Sequence, residues 1–295
     1  MPIPEGVVCL DVLVKLHSLK HIKFPASLRK LTFFRTLFTP IDAGDIPDTV
    51  TELSLPDDYD FPLTPGVIPK CAETLVLGDR FNQMLRPGIL PFGLRELVFG
   101  ENFNQVLKRG VLPCSLRKLV LSNAFNQVLN PGVLPCDLFS LTFGNFFNQV
   151  LKPGVLPCGL RELYLSNCLD QKIKHGVLPC GLQYLTFGYW FDQKLRPGVI
   201  PNSVIFLNLG NSYSYRLKPG VVPDSVTTLI LGENYDYRLN ILTLPKNLSV
   251  LRLHYTYSRK IRREDVPESV TSIPLSIHHY NHSVPKSLAN CISLS

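Results

Sequence analysis

The stretch FNQVLKRGVLPCSLRKLVLSNA, residues 103–124, is followed directly by FNQVLNPGVLPCDLFSLTFGNF, residues 125–146. The two 22-residue segments share most of their apolar, glycine and proline positions, so each is one copy of a repeat. The proline after the apolar pair recurs every 22 residues, without insertion or deletion, through twelve copies: Pro25, Pro47, Pro69, Pro91, Pro113, Pro135, Pro157, Pro179, Pro201, Pro223, Pro245 and Pro267. A fixed period of this length is typical of a solenoid, in which each copy is one turn.

Each repeat carries two apolar residues separated by one variable residue, and this alternation predicts one short strand per turn. Parallel strands of successive turns would lie about 4.8 Å apart, and stacking would bury apolar faces that a single turn cannot bury. The first apolar column is Leu31, Leu53, Leu75, Leu97, Leu119, Leu141, Leu163, Leu185, Leu207, Leu229, Leu251 and Ile273. The second column is Phe33, Leu55, Leu77, Phe99, Leu121, Phe143, Leu165, Phe187, Leu209, Leu231, Leu253 and Leu275.

A mostly aromatic column and an Asn-Gln pair follow the predicted strand. The column reads Phe81, Phe103, Phe125, Phe147, Leu169, Phe191, Tyr213, Tyr235 and Tyr257. The pair begins at Asn82, Asn104, Asn126 and Asn148, and Asp170 and Asp192 replace the asparagine in the next two turns. A turning backbone inside a stack needs hydrogen-bond partners. We therefore expect the pair to bond groups of its own turn and of the next one.

The composition excludes several protein classes. Hydrophobic residues make up 45% and charged residues 18%, which argues against disorder. The 25 prolines and 19 glycines argue against long helices. No apolar run approaches the roughly 18 residues of a membrane span, and the first residues lack the basic region of a signal peptide. We therefore expect a soluble, cytoplasmic protein with reduced cysteines.

These repeats resemble the FNIP repeat, a 22-residue variant of the leucine-rich repeat. The resemblance extends from about Pro25 to Val270 and is clearest from Phe81 to Val222. It implies a mainly β, leucine-rich-repeat-like solenoid of about twelve turns. The expected features are one parallel sheet, extended or polyproline-like return segments, and capped ends. We expect an N-terminal cap at residues 1–24, the solenoid at 25–277 and a C-terminal cap at 278–295.

FNIP repeats are common in social amoebae and in giant viruses that infect amoebae, so the compartment would be the host cytoplasm, or the virion if the chain is viral. Many FNIP proteins are similar to F-box adaptors, which carry a helical module before the repeats. Only 24 residues precede Pro25, which is too short for a full F-box. A substrate-recognition role in a ubiquitin-ligase-type adaptor therefore stays an alternative.

The two ends depart from the repeat, as terminal capping repeats do. Residues 1–24 carry leucines at helical spacing, but Leu10, Val12, Val14 and Leu16 also alternate, so helix and strand both remain open. Pro274 falls inside the last predicted strand, where a proline suits only an edge. The tail from His278 to Ser295 is out of phase, and we expect it to fold over that edge.

No catalytic residue, metal site, cofactor or small-molecule substrate is predicted. Cys114, Cys136, Cys158 and Cys180 form one column whose other members are mostly polar, so we expect exposed thiols. Free thiols, oxidative pairing between neighbours and metal binding remain open for them. His278, His279 and His282 match no zinc spacing, and we interpret them as part of a polar cap.

Two surfaces are candidates for binding. From residue 172 to 263 there are 13 Lys plus Arg against 4 Asp plus Glu, and stacking would align many of these cations into a basic ridge. The basic ridge comprises Lys172, Lys174, Lys194, Arg196, Arg216, Lys218 and Arg238. The second candidate is the outward face of the strands, where large apolar groups stand at Phe139, Tyr164, Tyr184 and Phe206.

The leading hypothesis is a non-enzymatic scaffold that binds an unidentified protein through the strand face, because solenoids present this face to partners and aromatic residues are frequent anchors. The alternative is binding of nucleic acid or another polyanion by the basic ridge. A solvated charged face and mutually covering side chains would explain the same residues without any partner. We expect no membrane association.

Overall fold

The computed structural model describes residues 3–274 together with Leu288 and Cys291. This part of the chain is mainly β, with twelve short strands and one 3-10 helix at Arg263–Asp265. The strands are β1 Cys9–Val12, β2 Lys30–Phe33, β3 Glu52–Ser54, β4 Thr74–Val76, β5 Glu96–Val98, β6 Lys118–Val120, β7 Ser140–Thr142, β8 Glu162–Tyr164, β9 Tyr184–Thr186, β10 Phe206–Asn208, β11 Thr228–Leu231 and β12 Val250–Leu253. No helix within these residues is long and apolar enough to cross a membrane.

The chain divides into two compact units, Met1–Phe147 and Asn148–Ser295. The first unit contains β1 to β7 and the second contains β8 to β12, and within each unit every strand pairs in parallel with its sequence neighbours. Leu97 pairs with Leu119 and Leu119 with Leu141, so the register advances by one repeat at each step. The predicted leucine-rich-repeat-like class with parallel strands is confirmed.

In the three-residue strands the middle residue is buried, and in all of them except β7 it is the only buried one. Leu119 is fully buried at the centre of β6, while its neighbours Lys118 and Val120 face outward. The carbonyl oxygen of Val120 accepts the N–H of Phe99 in the preceding turn at 3.0 Å. Burying one such leucine contributes roughly 1.5–3 kcal/mol of transfer free energy. The leucine column is one of several buried apolar columns that form the core of each unit.

Glycines after the strands allow the turns to pack backbone against backbone. A β-carbon placed on Gly144 would lie 2.6 Å from Cα of Asn123 and even closer to the carbonyl oxygen of Ser122 in the preceding turn. Gly78, Gly100 and Gly188 meet the preceding backbone in the same way. At these four glycines the preceding turn leaves no room for a β-carbon, whereas Ser122 and Ser166 occupy the same repeat position in other turns.

The aromatic column is buried, and in the first unit its rings stack from turn to turn. The Phe103 and Phe125 ring centroids are 6.3 Å apart, and those of Phe125 and Phe147 are 6.2 Å apart. Burial raises the pKa of Tyr213 and of Tyr235 to about 12, because the charged phenolate would be poorly solvated there. These tyrosines therefore stay neutral in the core of the second unit.

The Asn-Gln pair forms a hydrogen-bond ladder between turns, which confirms its predicted structural role. Oδ1 of Asn104 accepts the backbone N–H of Asn126 at 2.9 Å and Nε2 of Gln127 at 3.1 Å. The same two bonds join Asn148 to Asp170 and Gln171 in the second unit. Each asparagine thus satisfies a backbone donor that the turning chain leaves without a sheet partner.

The N-terminal segment, for which the sequence left helix and strand open, forms a strand. Leu10 in β1 pairs with Leu31 in β2, a step of 21 residues where the later strands step by 22. The segment therefore joins the first unit's sheet although it lies outside the repeat phase.

The prediction of a strand in the last repeat, at Ile273 and Leu275, was wrong for the part that the structure describes. Only an isolated bridge between Val250 and Ser272 is present, and Leu275 lies outside the described residues. Pro274 has no N–H to donate, so it cannot continue the ladder. The N–H of Ile273 instead donates to the carbonyl oxygen of Cys291 at 2.6 Å. Apart from Leu288 and Cys291, the predicted tail cap, including His278, His279 and His282, lies outside the described residues.

Candidate interaction surfaces

Three large aromatic side chains of the second unit lie together on the outward face of its sheet, and we call Tyr164, Tyr184 and Phe206 the aromatic face. Tyr184 in β9 is the direct register partner of Phe206 in β10, and their ring centroids are 6.0 Å apart. Tyr164 and Tyr184 are 39% and 38% exposed, and Phe206 is half-buried. Cross-strand aromatic pairs stabilise a sheet, but these rings still offer a large apolar area to solvent.

Tyr164 lies diagonally across the strand pair from Tyr184. Its register partner in β9 is Thr186, while Glu162 is the partner of Tyr184. Partial burial raises the pKa of the Tyr164 phenol, with smaller contributions from Glu162 and Tyr184. The hydroxyl is therefore neutral and can donate a hydrogen bond.

Phe139, the fourth residue predicted for this surface, belongs to the first unit. It immediately precedes β7, it is exposed, and its N–H donates to the carbonyl oxygen of Arg117 at 2.8 Å. The three-residue aromatic face is thus a feature of the second unit alone.

The strand face of the first unit has a different character. Lys118 Nζ in β6 lies 2.8 Å from a carboxylate oxygen of Glu96 in β5, and Lys30 Nζ in β2 lies 3.1 Å from Glu52 in β3. Such exposed ion pairs contribute little to stability, about 0–1 kcal/mol, but they cover the sheet with charge. No apolar anchor is offered by these paired positions.

Two further exposed aromatic residues of the second unit follow a strand, and the sequence patterns did not single them out. Tyr189 and Trp190 follow β9, with ring centroids 4.7 Å apart in an edge-on arrangement, and Trp190 is 60% exposed. The preceding turn fixes their backbone, since the N–H of Trp190 donates to the Asn167 carbonyl oxygen at 2.9 Å. The available signal was that the chain's single tryptophan stands where Asn102, Ala124 and Ser212 occur in other turns.

The basic ridge lies in the second unit, and its seven predicted residues are all exposed. Lys172, Lys174, Lys194, Arg196, Arg216 and Lys218 form no ion pair with a described acidic residue. Arg238 differs from them, because its Nη2 lies 3.0 Å from Oδ1 of the buried Asp265. The open part of the ridge therefore comprises the six unpaired cations in three successive turns.

A groove of about 420 Å³ runs through the first two of these turns. Its lining contains five basic side chains and three apolar ones, namely Lys172, Lys174, His175, Lys194, Arg196, Ile173, Pro197 and Val199. No acidic residue lines it. Such a groove concentrates positive potential and favours an anionic ligand.

The cysteine column is exposed, as its polar neighbours predicted. Cys114 and Cys136 of the first unit and Cys158 and Cys180 of the second are free thiols. Within the described residues no group of three or more His, Cys, Asp or Glu side chains could hold a metal ion.

Comparisons with known proteins agree with the repeat architecture. A family model for the FNIP repeat matches residues 39–80, 81–124, 125–168, 169–212 and 213–256. A search of curated protein sequences gives no match.

The solved structures that match the chain include CroV588 and PcpA. The crystal structure of CroV588, a novel circular LRR protein, matches with 29% identity and a TM-score of 0.83, covering 93% of this chain. The chain spans 41% of the length of CroV588. The pneumococcal vaccine antigen PcpA matches with 13% identity and a TM-score of 0.27, covering 98% of this chain and 66% of PcpA, and this likeness is too weak to carry an argument.

Proposed function

The chain belongs to the FNIP-repeat family, and from that premise we propose that it is a non-enzymatic scaffold that binds a protein partner through the aromatic face of its second unit. The observation that carries the proposal is the pairing of Tyr184 with Phe206 beside Tyr164, with large ring areas left in solvent. Tyrosine and tryptophan are enriched among the residues that dominate binding energy at protein interfaces.

The rigidity of the support favours binding at this surface. The backbone of Tyr184, Phe206 and their strand neighbours is held in a ladder of parallel hydrogen bonds, so a partner would not need to order that backbone. A segment whose backbone is already ordered loses less conformational entropy on binding. A preformed aromatic surface therefore converts more of its buried area into affinity than a mobile loop does.

The test is a quantitative pull-down with the full chain as bait in lysate of amoebal cells, followed by mass spectrometry. We expect the enrichment of a specific partner to fall tenfold or more with the triple variant Tyr164→Ser, Tyr184→Ser, Phe206→Ser. The reason is that a single anchor residue can contribute about 2 kcal/mol of binding free energy. Circular dichroism would establish that the variant retains its strands.

The matched control is Leu242→Ser, which removes an exposed apolar side chain of the same unit outside the sheet. It should leave the partner's enrichment unchanged. Equal enrichment by wild type and the triple variant, or equal loss with Leu242→Ser, would remove the aromatic face from consideration as the binding surface.

A further inference from the structure

We propose that the open part of the basic ridge, on a surface distinct from the aromatic face, binds the phosphodiester backbone of single-stranded nucleic acid. The six cations form two columns, with Lys172, Lys194 and Arg216 in one and Lys174, Arg196 and Lys218 in the other. Each column repeats once per turn. The result is a linear basic track, which suits a chain of phosphates.

On this side of the second unit, hydrogen bonds connect equivalent positions of successive turns. Nε2 of Gln193 donates to Oδ1 of Asp170 at 2.6 Å, and the N–H of Ser214 donates to Oδ1 of Asp192 at 2.9 Å. The cations two residues further along are therefore also carried by adjacent turns, and three turns span about 10 Å. This length suits a strand of a few nucleotides.

The acidic residues near the track are already engaged. Asp170 and Asp192 stand two residues before Lys172 and Lys194, and both accept the inter-turn hydrogen bonds of the ladder. Asp236 accepts bonds from Ser258 and pairs with Arg259. These carboxylates reduce the local positive potential, but they leave the ammonium and guanidinium groups of the track without a direct ion pair. Those groups are available to neutralise phosphates.

Aromatic residues stand beside the cations at one end of the track. Tyr215 directly precedes Arg216, and Tyr237 directly precedes Arg238, at positions that hold glutamine in earlier turns. Tyr237 is 39% exposed, and its ring packs edge-on at 5.6 Å from the buried Tyr235. Cations that follow a backbone, combined with aromatic rings on which bases stack, are the usual components of single-strand binding. Bases inside a duplex are not available for such stacking.

The experiment is fluorescence anisotropy of the full chain with a labelled oligothymidine of about 12 nucleotides, titrated across salt concentrations. Each neutralised phosphate of a single strand contributes about −0.7 to the slope of log K against log salt. Four to six contacts predict a slope between about −3 and −4. The double variant Lys194→Ala, Arg196→Ala should reduce the slope by about 1.4, which corresponds to about 25-fold weaker binding at 0.1 M salt.

Two further variants distinguish binding at the basic track from a general effect of the protein's net charge. The double variant Lys246→Ala, Arg252→Ala removes the same charge from exposed positions of the same unit outside the ridge, and it should weaken binding much less. Tyr237→Leu should weaken binding about fivefold or more without changing the salt slope, because stacking releases no counterions.

Several results would overturn the proposal. Equal losses in the two double variants would indicate a net-charge effect. Binding of a duplex or of an oligoglutamate of equal charge as tightly as the oligothymidine would indicate another class of partner. Absence of measurable binding at low salt would exclude a nucleic-acid role, and none of these outcomes bears on the aromatic face.

Discussion

Replacing Gly144 by alanine is expected to lower the free energy of unfolding by more than about 4 kcal/mol, a loss that single substitutions rarely reach. The added β-carbon would lie 2.6 Å from Cα of Asn123 and would overlap the carbonyl oxygen of Ser122. Real β-carbons essentially never approach within 3.0 Å. Both atoms belong to the backbone of the preceding turn, so relief requires the stacked turns to separate and break their hydrogen bonds. Urea denaturation followed by circular dichroism measures the loss.

The matched control is Gly93→Ala in the same unit. A β-carbon at Gly93 meets no atom within 4 Å, and this glycine does not have a positive φ. Alanine there should be neutral or stabilise the protein by up to about 1 kcal/mol, because it restricts the unfolded chain. If both variants unfolded at the same urea concentration, close backbone stacking would not be what the glycine column provides.

Replacing Phe125 by alanine is expected to cost about 3–5 kcal/mol, because it empties a buried position between two other rings. Phe125 is fully buried, with Phe103 and Phe147 stacked at 6.3 and 6.2 Å. Since each turn contacts only its neighbours, the loss should be accompanied by faster amide exchange in β6 and the adjacent strands of the first unit. Denaturation and hydrogen exchange together measure the two effects.

Phe146→Ala provides the comparison, because Phe146 is 60% exposed in the same unit. Its removal should change stability by no more than about 0.5 kcal/mol. A small effect at Phe125, or equal effects at the two phenylalanines, would show that the aromatic column does not support the stack.

Much of the fold follows from the 22-residue period because a constant repeat places each column in a constant environment. Once Leu119 is assigned to the core, Leu97 and Leu141 must occupy the same place in their turns, and the structure confirms this. The ladder from Asn104 to Asn126 was predictable for the same reason, since an inter-turn backbone donor recurs at that place.

The features that break the period were not predictable from it. β1 pairs with β2 one residue out of phase, and the last repeat carries a bridge where a strand was expected. At both ends a turn has a neighbour on one side only, so local geometry and non-repeat residues decide its structure. Pro274 and Cys291 show this at the C-terminal edge.

The sequence predicted which repeat positions form the candidate surfaces, but not the contacts between their side chains. The sequence placed Tyr184 and Phe206 on the outward strand face, yet the ring contact between them depends on rotamers that no pattern specifies. Arg238 was assigned to the basic ridge because it stands at the same repeat position as other cations. Its ion pair with Asp265 was not predictable, because Asp265 lies in a segment that does not follow the repeat. Trp190 was missed because a single residue of its kind has no periodicity.

The central claim, that the aromatic face binds the partner, is tested most directly by hydroxyl-radical footprinting of the full chain alone and in complex with the captured protein. Tyr164, Tyr184 and Tyr237 are 39%, 38% and 39% exposed, so their side chains should oxidise at comparable rates in the free protein. We predict that the partner slows oxidation of Tyr164 and Tyr184 several-fold and leaves Tyr237 unchanged. Protection of Tyr237 with undiminished oxidation of Tyr164 and Tyr184 would contradict the claim.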